Sequence, residues 1–254
     1  MPTTDPSKPD HRSAYHRRLE ALDASLIRLG AMVSELIPWG TQVLLNGDMG
    51  EAQKLIDADD EIDHLSVEIE ESVYEIMVLQ APVASDLRHL TTILKSVGEL
   101  ERSADLVVNI CKATRRMYGS PMSPKIRGVI DGMSQEARRL IQLAMEAFAD
   151  ADSALAAALS DIDDELDNLN REMVEAVFAA HHDGAIDLAA AVQLALVARY
   201  YERIGDHAVN IGERVGYMVT GWLPELNGSL RTQHRGQSAD PVVANPGDGP
   251  ADGG

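Results

Sequence analysis

The 254-residue chain holds one cysteine, two phenylalanines, two tryptophans and six tyrosines. Cys111 alone excludes an intrachain disulfide and any Cys-based zinc site, and it fits a reducing compartment. No apolar run approaches the roughly 20 residues that a bilayer crossing needs, and the opening "MPTTDPSKPD" has no apolar core of a signal peptide. Positive charge is also scarce, 22 Lys and Arg against 41 Asp and Glu. The net charge of −19 repels nucleic acid phosphates and anionic headgroups, so nucleic acid binding and direct membrane insertion are not expected. Neither a G-x-x-x-x-G-K-[ST] phosphate loop nor a G-x-S-x-G elbow occurs. The expectation is a soluble intracellular protein.

What is present is helix-forming. Aromatics make up 4% of the chain while hydrophobic residues reach 45%, dominated by Ala, Leu, Val, Ile and Met. Apolar residues recur three and four apart, with breaks at Asn46–Gly50, Gln80–Pro82, Tyr118–Pro124, Asp150–Ser153 and His182–Gly184. These breaks predict an all-α chain of six long helices, with Pro38 kinking or splitting the first. Residues 1–12 and 222–254, rich in Pro, Gly and polar residues, read as disordered.

The two halves repeat one another. "DDEIDHL" (Asp59 to Leu65) matches "DDELDNL" (Asp163 to Leu169), and "ERSADLVVNI" (Glu101 to Ile110) matches "ERIGDHAVNI" (Glu202 to Ile211). The expected architecture is two tandem, sequence-related three-helix bundles, 13–118 and 125–221, joined by a linker at 119–124.

Each repeat carries two acid pairs at i,i+4: Asp59 with Asp63 and Glu101 with Asp105, then Asp163 with Asp167 and Glu202 with Asp206. Four residues apart on a helix is one face, where like charges cost a few tenths of a kcal/mol, so the recurrence needs a reason. In an antiparallel hairpin, residues equidistant from the turn lie level. The midpoint of positions 63 and 101 is Pro82, and that of 167 and 202 falls beside Gly184. Each hairpin therefore brings four carboxylates to one level, a set that either raises its own pKa values or binds cations. Oxygen ligands suit magnesium, manganese or iron better than a Cys/His zinc site does. Solvated helix faces, or a polar layer that sets helix register, are the alternatives.

Single residues qualify the picture. Glu101 interrupts an apolar seam of Leu87, Leu90, Leu94, Val97, Ala104 and Val108, an expensive place for an unpaired carboxylate. Arg102 and Arg203 lie about 100° round the helix from the preceding glutamates and are expected to pair with a neighbouring helix. Asn109 and Asn210 return to roughly the glutamates' face. His64 and His207 are expected in solvent rather than as ligands. Cys111, although followed by Lys112, Arg115 and Arg116, is expected to be a buried, idle thiol.

Through both "DDE(I/L)D" segments, "LQAPVASDLR", "ELERSAD" and "YYERIGDHAVNI", the chain from about Tyr15 to Gly221 resembles the PhoU family of bacterial phosphate-transport regulators. The first copy departs at "ERSAD" where the fuller pattern is "ERIGD", but both acids survive. The resemblance implies two three-helix bundles with multinuclear metal clusters, of iron, manganese, magnesium or zinc, held by Asp59, Asp63, Glu101 and Asp105 and by Asp163, Asp167, Glu202 and Asp206. It also implies a cytoplasmic adaptor that is not an enzyme, linking the phosphate ABC transporter ATPase to a phosphate-sensing histidine kinase and repressing the starvation response when phosphate is plentiful. Exposed apolar residues on long bundles favour a homodimer. Two rivals are a ferritin-like di-iron carboxylate enzyme and a metal-free helical scaffold. The first needs two Glu-x-x-His motifs, but Glu61–His64 has only Glu165–Asn168 as its counterpart.

Overall fold

The computed structural model describes residues 11–222, so the sequence expectations for residues 1–10 and 223–254 lie outside the described part. Six helices follow in order: α1 (His11–Asn46), α2 (Met49–Gln80), α3 (Ala84–Arg116), α4 (Pro124–Ala149), α5 (Ser153–His182) and α6 (Leu188–Thr220). All five expected breaks fall between helices. Pro38 does not split α1, which runs unbroken through it for 36 residues.

Local chemistry sets the ends. Asp48 caps α2 by accepting from the Gly50 and Glu51 amides, and Asp152 caps α5 through Ala154 and Leu155. Ser123 caps α4 with Pro124 at its first position, and Asp187 caps α6 through Ala190. At the other end of α2, Ala81 adopts the left-handed conformation with φ 46°, its amide closing on the Met77 carbonyl, before Pro82 stops the helix.

The helices form two tandem three-helix bundles, α1–α3 and α4–α6, and within the described residues these pack into one compact unit. Each inner helix meets its own counterpart in the other repeat. In α1 against α4, Thr41 bonds Ser134, Glu35 pairs with Arg138 and Leu45 accepts from Arg127. In α3 against α6, Ser103 meets His207, Thr92 donates to the Arg214 carbonyl and Arg116 reaches Gln193. Numbers rise along one helix as they fall along the other, so both pairs are antiparallel and the repeats are exchanged by an internal two-fold. Helices α2 and α5 lie outside this seam and pack within their own repeats.

Leu26, Leu29, Val33 and Ile37 of α1 and Leu90, Ile93, Val97 and Leu100 of α3 fill the first core. Ile130, Met133, Leu140, Leu166, Met173, Val197 and Ile204 are among those filling the second. Burying each such side chain contributes about 1.5–3 kcal/mol. At the centre of the seam the fully buried Tyr201 hydroxyl lies 2.7 Å from Thr41 Oγ1, which donates at 2.7 Å to Ser134 Oγ. Three helices thus share one satisfied polar network in an otherwise apolar interior.

Candidate metal centre

The apolar faces of α2 and α5 turn inward, and Ile62, Leu65 and Ile69 of α2 and Leu166 and Met173 of α5 are buried. Packing them sets the rotation of each helix and leaves its acid pair at the edge of the hairpin groove. The two repeats expose their acids alike. Asp59 and Asp163 are half-buried, as are Glu101 and Glu202, whereas Asp63, Asp105, Asp167 and Asp206 are exposed.

Charge coupling follows the hairpin register. Burial first, then the carboxylates of Asp63 and Asp105, push Asp59 up to about 6. Burial, then Asp167 and Asp206, push Asp163 up to about 6. Glu101 is raised by burial, then by Asp63, Asp105 and Glu70. Asp59 with Asp105, and Asp163 with Asp206, are equidistant from their turns, and at that level their charges act on one another.

One oxygen in each cluster stands out. Asp59 Oδ1 and Asp163 Oδ1 are buried and accept no hydrogen bond, at equivalent positions of the two repeats. A buried carboxylate oxygen without a partner costs free energy on the order of several kcal/mol unless a proton or a cation meets it. Gly205 shows how closely α6 approaches, since a Cβ there would lie 2.2 Å from Asp163 Oδ1 and 2.7 Å from Leu166 Cδ2. The donor set, all carboxylate oxygen, suits a hard cation.

The clusters are not drawn together. Among the described residues no three Asp, Glu, His or Cys side chains converge closely enough to hold an ion as they stand. Glu202 forms an ion pair with Arg199 one turn earlier on α6.

Several sequence expectations change here. His207 is not in solvent: it is 5% exposed in the α3–α6 seam, with Nδ1 3.1 Å from Ser103 Oγ, because its ring faces α3 rather than the groove. Burial lowers its pKa and keeps the ring neutral. His64 is exposed, as expected. Arg102 does not reach a neighbouring helix but pairs with Glu99 on its own, at 2.6 Å, because i,i+3 brings the two together. Asn210 donates to Glu99 Oε2 at 3.4 Å, so this asparagine belongs to the seam. Glu99 was missed, and its spacing from Arg102 was the available signal. Cys111 is fully buried, and burial pushes its thiol up to about 12 despite the basic residues that follow it. Glu61 and His64 both face solvent, so the single Glu-x-x-His motif does not project into the bundle as a di-iron centre requires.

The PhoU domain model matches residues 26–114 and again 130–215, once per repeat. The chain belongs to the PhoU family. Among similar PhoU proteins is phosphate-specific transport system accessory protein PhoU homolog 1 of Mycobacterium tuberculosis, 32% identical over 214 residues, covering 84% of this chain and 96% of that protein. The PhoU homolog of Clostridium acetobutylicum is 30% identical over 217 residues, or 85% and 99% of the two chains. The crystal structure of PhoU from Pseudomonas aeruginosa aligns with a TM-score of 0.75 at 28% identity, covering 82% of this chain and all of that one. PhoU from Streptococcus pneumoniae, at 23% identity and a TM-score of 0.76, shares the fold. Among the described residues of this PhoU chain no helix is long and apolar enough to cross a membrane.

Proposed function

We propose that this protein is an accessory regulator of phosphate transport. The reading rests above all on the family match in both repeats, together with relatives that match over nearly their whole length and carry the name of phosphate-specific transport system accessory proteins. In this reading it is a cytoplasmic homodimeric adaptor and not an enzyme. It couples the ATPase of a phosphate ABC transporter to a phosphate-sensing histidine kinase and holds the starvation response off when phosphate is plentiful. No nucleic acid or membrane insertion is involved.

The carboxylate clusters serve it as metal sites. Asp59, Asp63, Glu101 and Asp105 form one ligand set and Asp163, Asp167, Glu202 and Asp206 the other. Support comes from the unpartnered buried oxygens of Asp59 and Asp163 and from the all-oxygen donor set, which fits iron, manganese, magnesium or, less well, zinc. A bound cation supplies positive charge that neutralises the cluster. The aspartates and glutamates hold α2 to α3, and α5 to α6, through it.

The test is a phosphatase reporter of phosphate starvation in cells lacking this gene and grown in excess phosphate. A reporter that switches on, and returns to off with the intact gene, supports the repressing adaptor. A reporter that stays off in a strain with no second copy overturns it. Metal analysis of the purified protein, with and without the eight acids replaced by their amides, tests the ligand sets separately.

A further inference from the structure

The internal two-fold places two cavities at corresponding positions on opposite ends of the body. One, of about 410 Å³, lies between the starts of α1 and α3 and the end of α6, and its lining includes His16, Glu20, Asp23, Asp86 and His89. The other, of about 550 Å³, lies where α1 and α3 end and α4 begins, and no acid lines it. Its charged wall residue is Arg127. The same place in the fold is thus acidic at one end and basic at the other, so the basic character is a property of these residues and not of the architecture.

The stretch of chain that ends α3 and begins α4 is basic as well. Between Asp105 and Asp131 the chain has no acid, yet it holds Lys112, Arg115, Arg116, Lys125 and Arg127, in a protein whose net charge is −19. Arg115 and Arg116 lie in the last turn of α3, where the helix dipole favours cations. The same dipole disfavours Lys125 and Arg127, which stand at the start of α4, where the first turn holds no acid. Lys125 pairs with Glu172 of α5 at 3.6 Å, which leaves Arg127 as the departure from a local rule that marks a place with another use. Arg127 is also held in position. Its Nη1 donates to the Leu45 carbonyl at 2.6 Å, and among the described residues no carboxylate pairs with it. The planar fork therefore keeps donors for an oxyanion.

A bare anion accounts for only part of the site. Leu44, Met117, Pro121 and Met122 contribute apolar wall, and Tyr118, 73% exposed, lies at the rim. The volume is in the range of small-molecule sites. We propose that this cavity binds a phosphorylated small molecule with a flat ring system, of nucleotide size, its phosphoryl oxygens on Arg127 and its ring against Tyr118 and Met122. The site is separate from the carboxylate clusters, and the inference stands whether or not those bind metal.

Calorimetry on the full chain with ADP tests it, in the presence of a chelator so that no cation bridges the nucleotide to the acids. The expected result is saturable binding of one ADP per chain with Kd on the order of 10–100 µM. Adenosine alone and inorganic phosphate alone bind at least about tenfold more weakly. Arg127→Gln weakens ADP binding by about tenfold or more. Tyr118→Ala, at an exposed position with little bearing on folding, weakens it several-fold. Glu20→Gln, in the opposite cavity, leaves it unchanged. If Arg127→Gln does not fold, Tyr118→Ala and Arg127→Lys decide, and wild-type affinity in both overturns the proposal. So does the absence of binding at millimolar ADP, or equal affinity for ADP and inorganic phosphate.

Discussion

The two buried oxygens that accept nothing predict a change of sign. In chelated protein, Asp59 and Asp163 each ionise at about 6 rather than 3.8, because burial and the neighbouring carboxylates oppose the charge. A raised carboxylate pKa means that the folded state binds the proton more tightly than the unfolded chain does. Stability is therefore highest below pH 4 for this contribution and is lost as pH rises through about 6. Two pKa units correspond to about 3 kcal/mol. Both side chains are only half-buried, so solvent screening reduces this to about 1–2 kcal/mol each. Replacing each by Asn removes the charge at nearly constant shape, with the amide nitrogen turned to the wetter side. The double variant Asp59→Asn with Asp163→Asn is expected to be more stable than wild type by about 2–4 kcal/mol at pH 7.5 in chelator. In a body of this size that is about 4–16 °C in Tm. At pH 5 the gain shrinks, because the wild-type carboxyls are then largely protonated. With manganese or iron(II) at about 100 times the dissociation constant the wild type gains about 2.7 kcal/mol per site and the variant does not, so the order of stabilities reverses. Urea unfolding followed by circular dichroism, with and without metal at both pH values, reads all four conditions. A variant less stable than wild type in chelator at pH 7.5, or a gain as large at pH 5, refutes the electrostatic reasoning. Reversal absent at every metal tested refutes the ligand assignment.

Three further outcomes follow from single contacts. Gly205→Ala places a methyl 2.2 Å from Asp163 Oδ1 and 2.7 Å from Leu166 Cδ2, and is expected to cost about 1–3 kcal/mol in urea unfolding and to lower metal occupancy of the second cluster only. Tyr201→Phe removes the hydroxyl that meets Thr41 in the seam, and should cost about 1–2 kcal/mol with the secondary structure unchanged by circular dichroism. Cys111, fully buried with its thiol pushed up to about 12, should resist a thiol-reactive disulfide reagent at pH 8 and react at once in denaturing urea.

Helix number, the breaks between helices and the level at which the acids of each hairpin act on one another were legible in the sequence, since each depends on local spacing. Residues three and four apart define a helix face, and a turn residue defines the mirror point of a hairpin, so Pro82 and Gly184 located Asp59 beside Asp105 and Asp163 beside Asp206. The seam between repeats was not legible. His207 follows a groove acid by one residue, and its spacing alone does not say that α3 of the other repeat covers that face. Arg102 differs for a related reason: its position relative to Glu101 points it at a neighbouring helix, but Glu99, three residues back on the same helix, lies within its reach. Tyr201, Thr41 and Ser134 come from three helices and lie 93 and 160 residues apart from Thr41, a separation at which no periodicity carries information.

The internal two-fold separates what the fold requires from what particular positions add. Where both repeats keep a feature that local energetics disfavours, such as like charges at i,i+4 or a buried oxygen without a partner, a shared use is the economical account. Packing would be served equally well by neutral residues in either copy. Where the repeats diverge, the fold can be discounted as the cause. Gly205 stands where the first repeat has Ala104, so the position that faces Asp163 has no room for the methyl that the first repeat carries at its equivalent. Two clusters of the same chemistry thus differ in the residue that α3 or α6 sets against the buried aspartate, and they should differ in cation affinity. Titrating manganese into a chelator-stripped protein should give two separable steps rather than one, and removing Asp163 should abolish one of them while removing Asp59 abolishes the other.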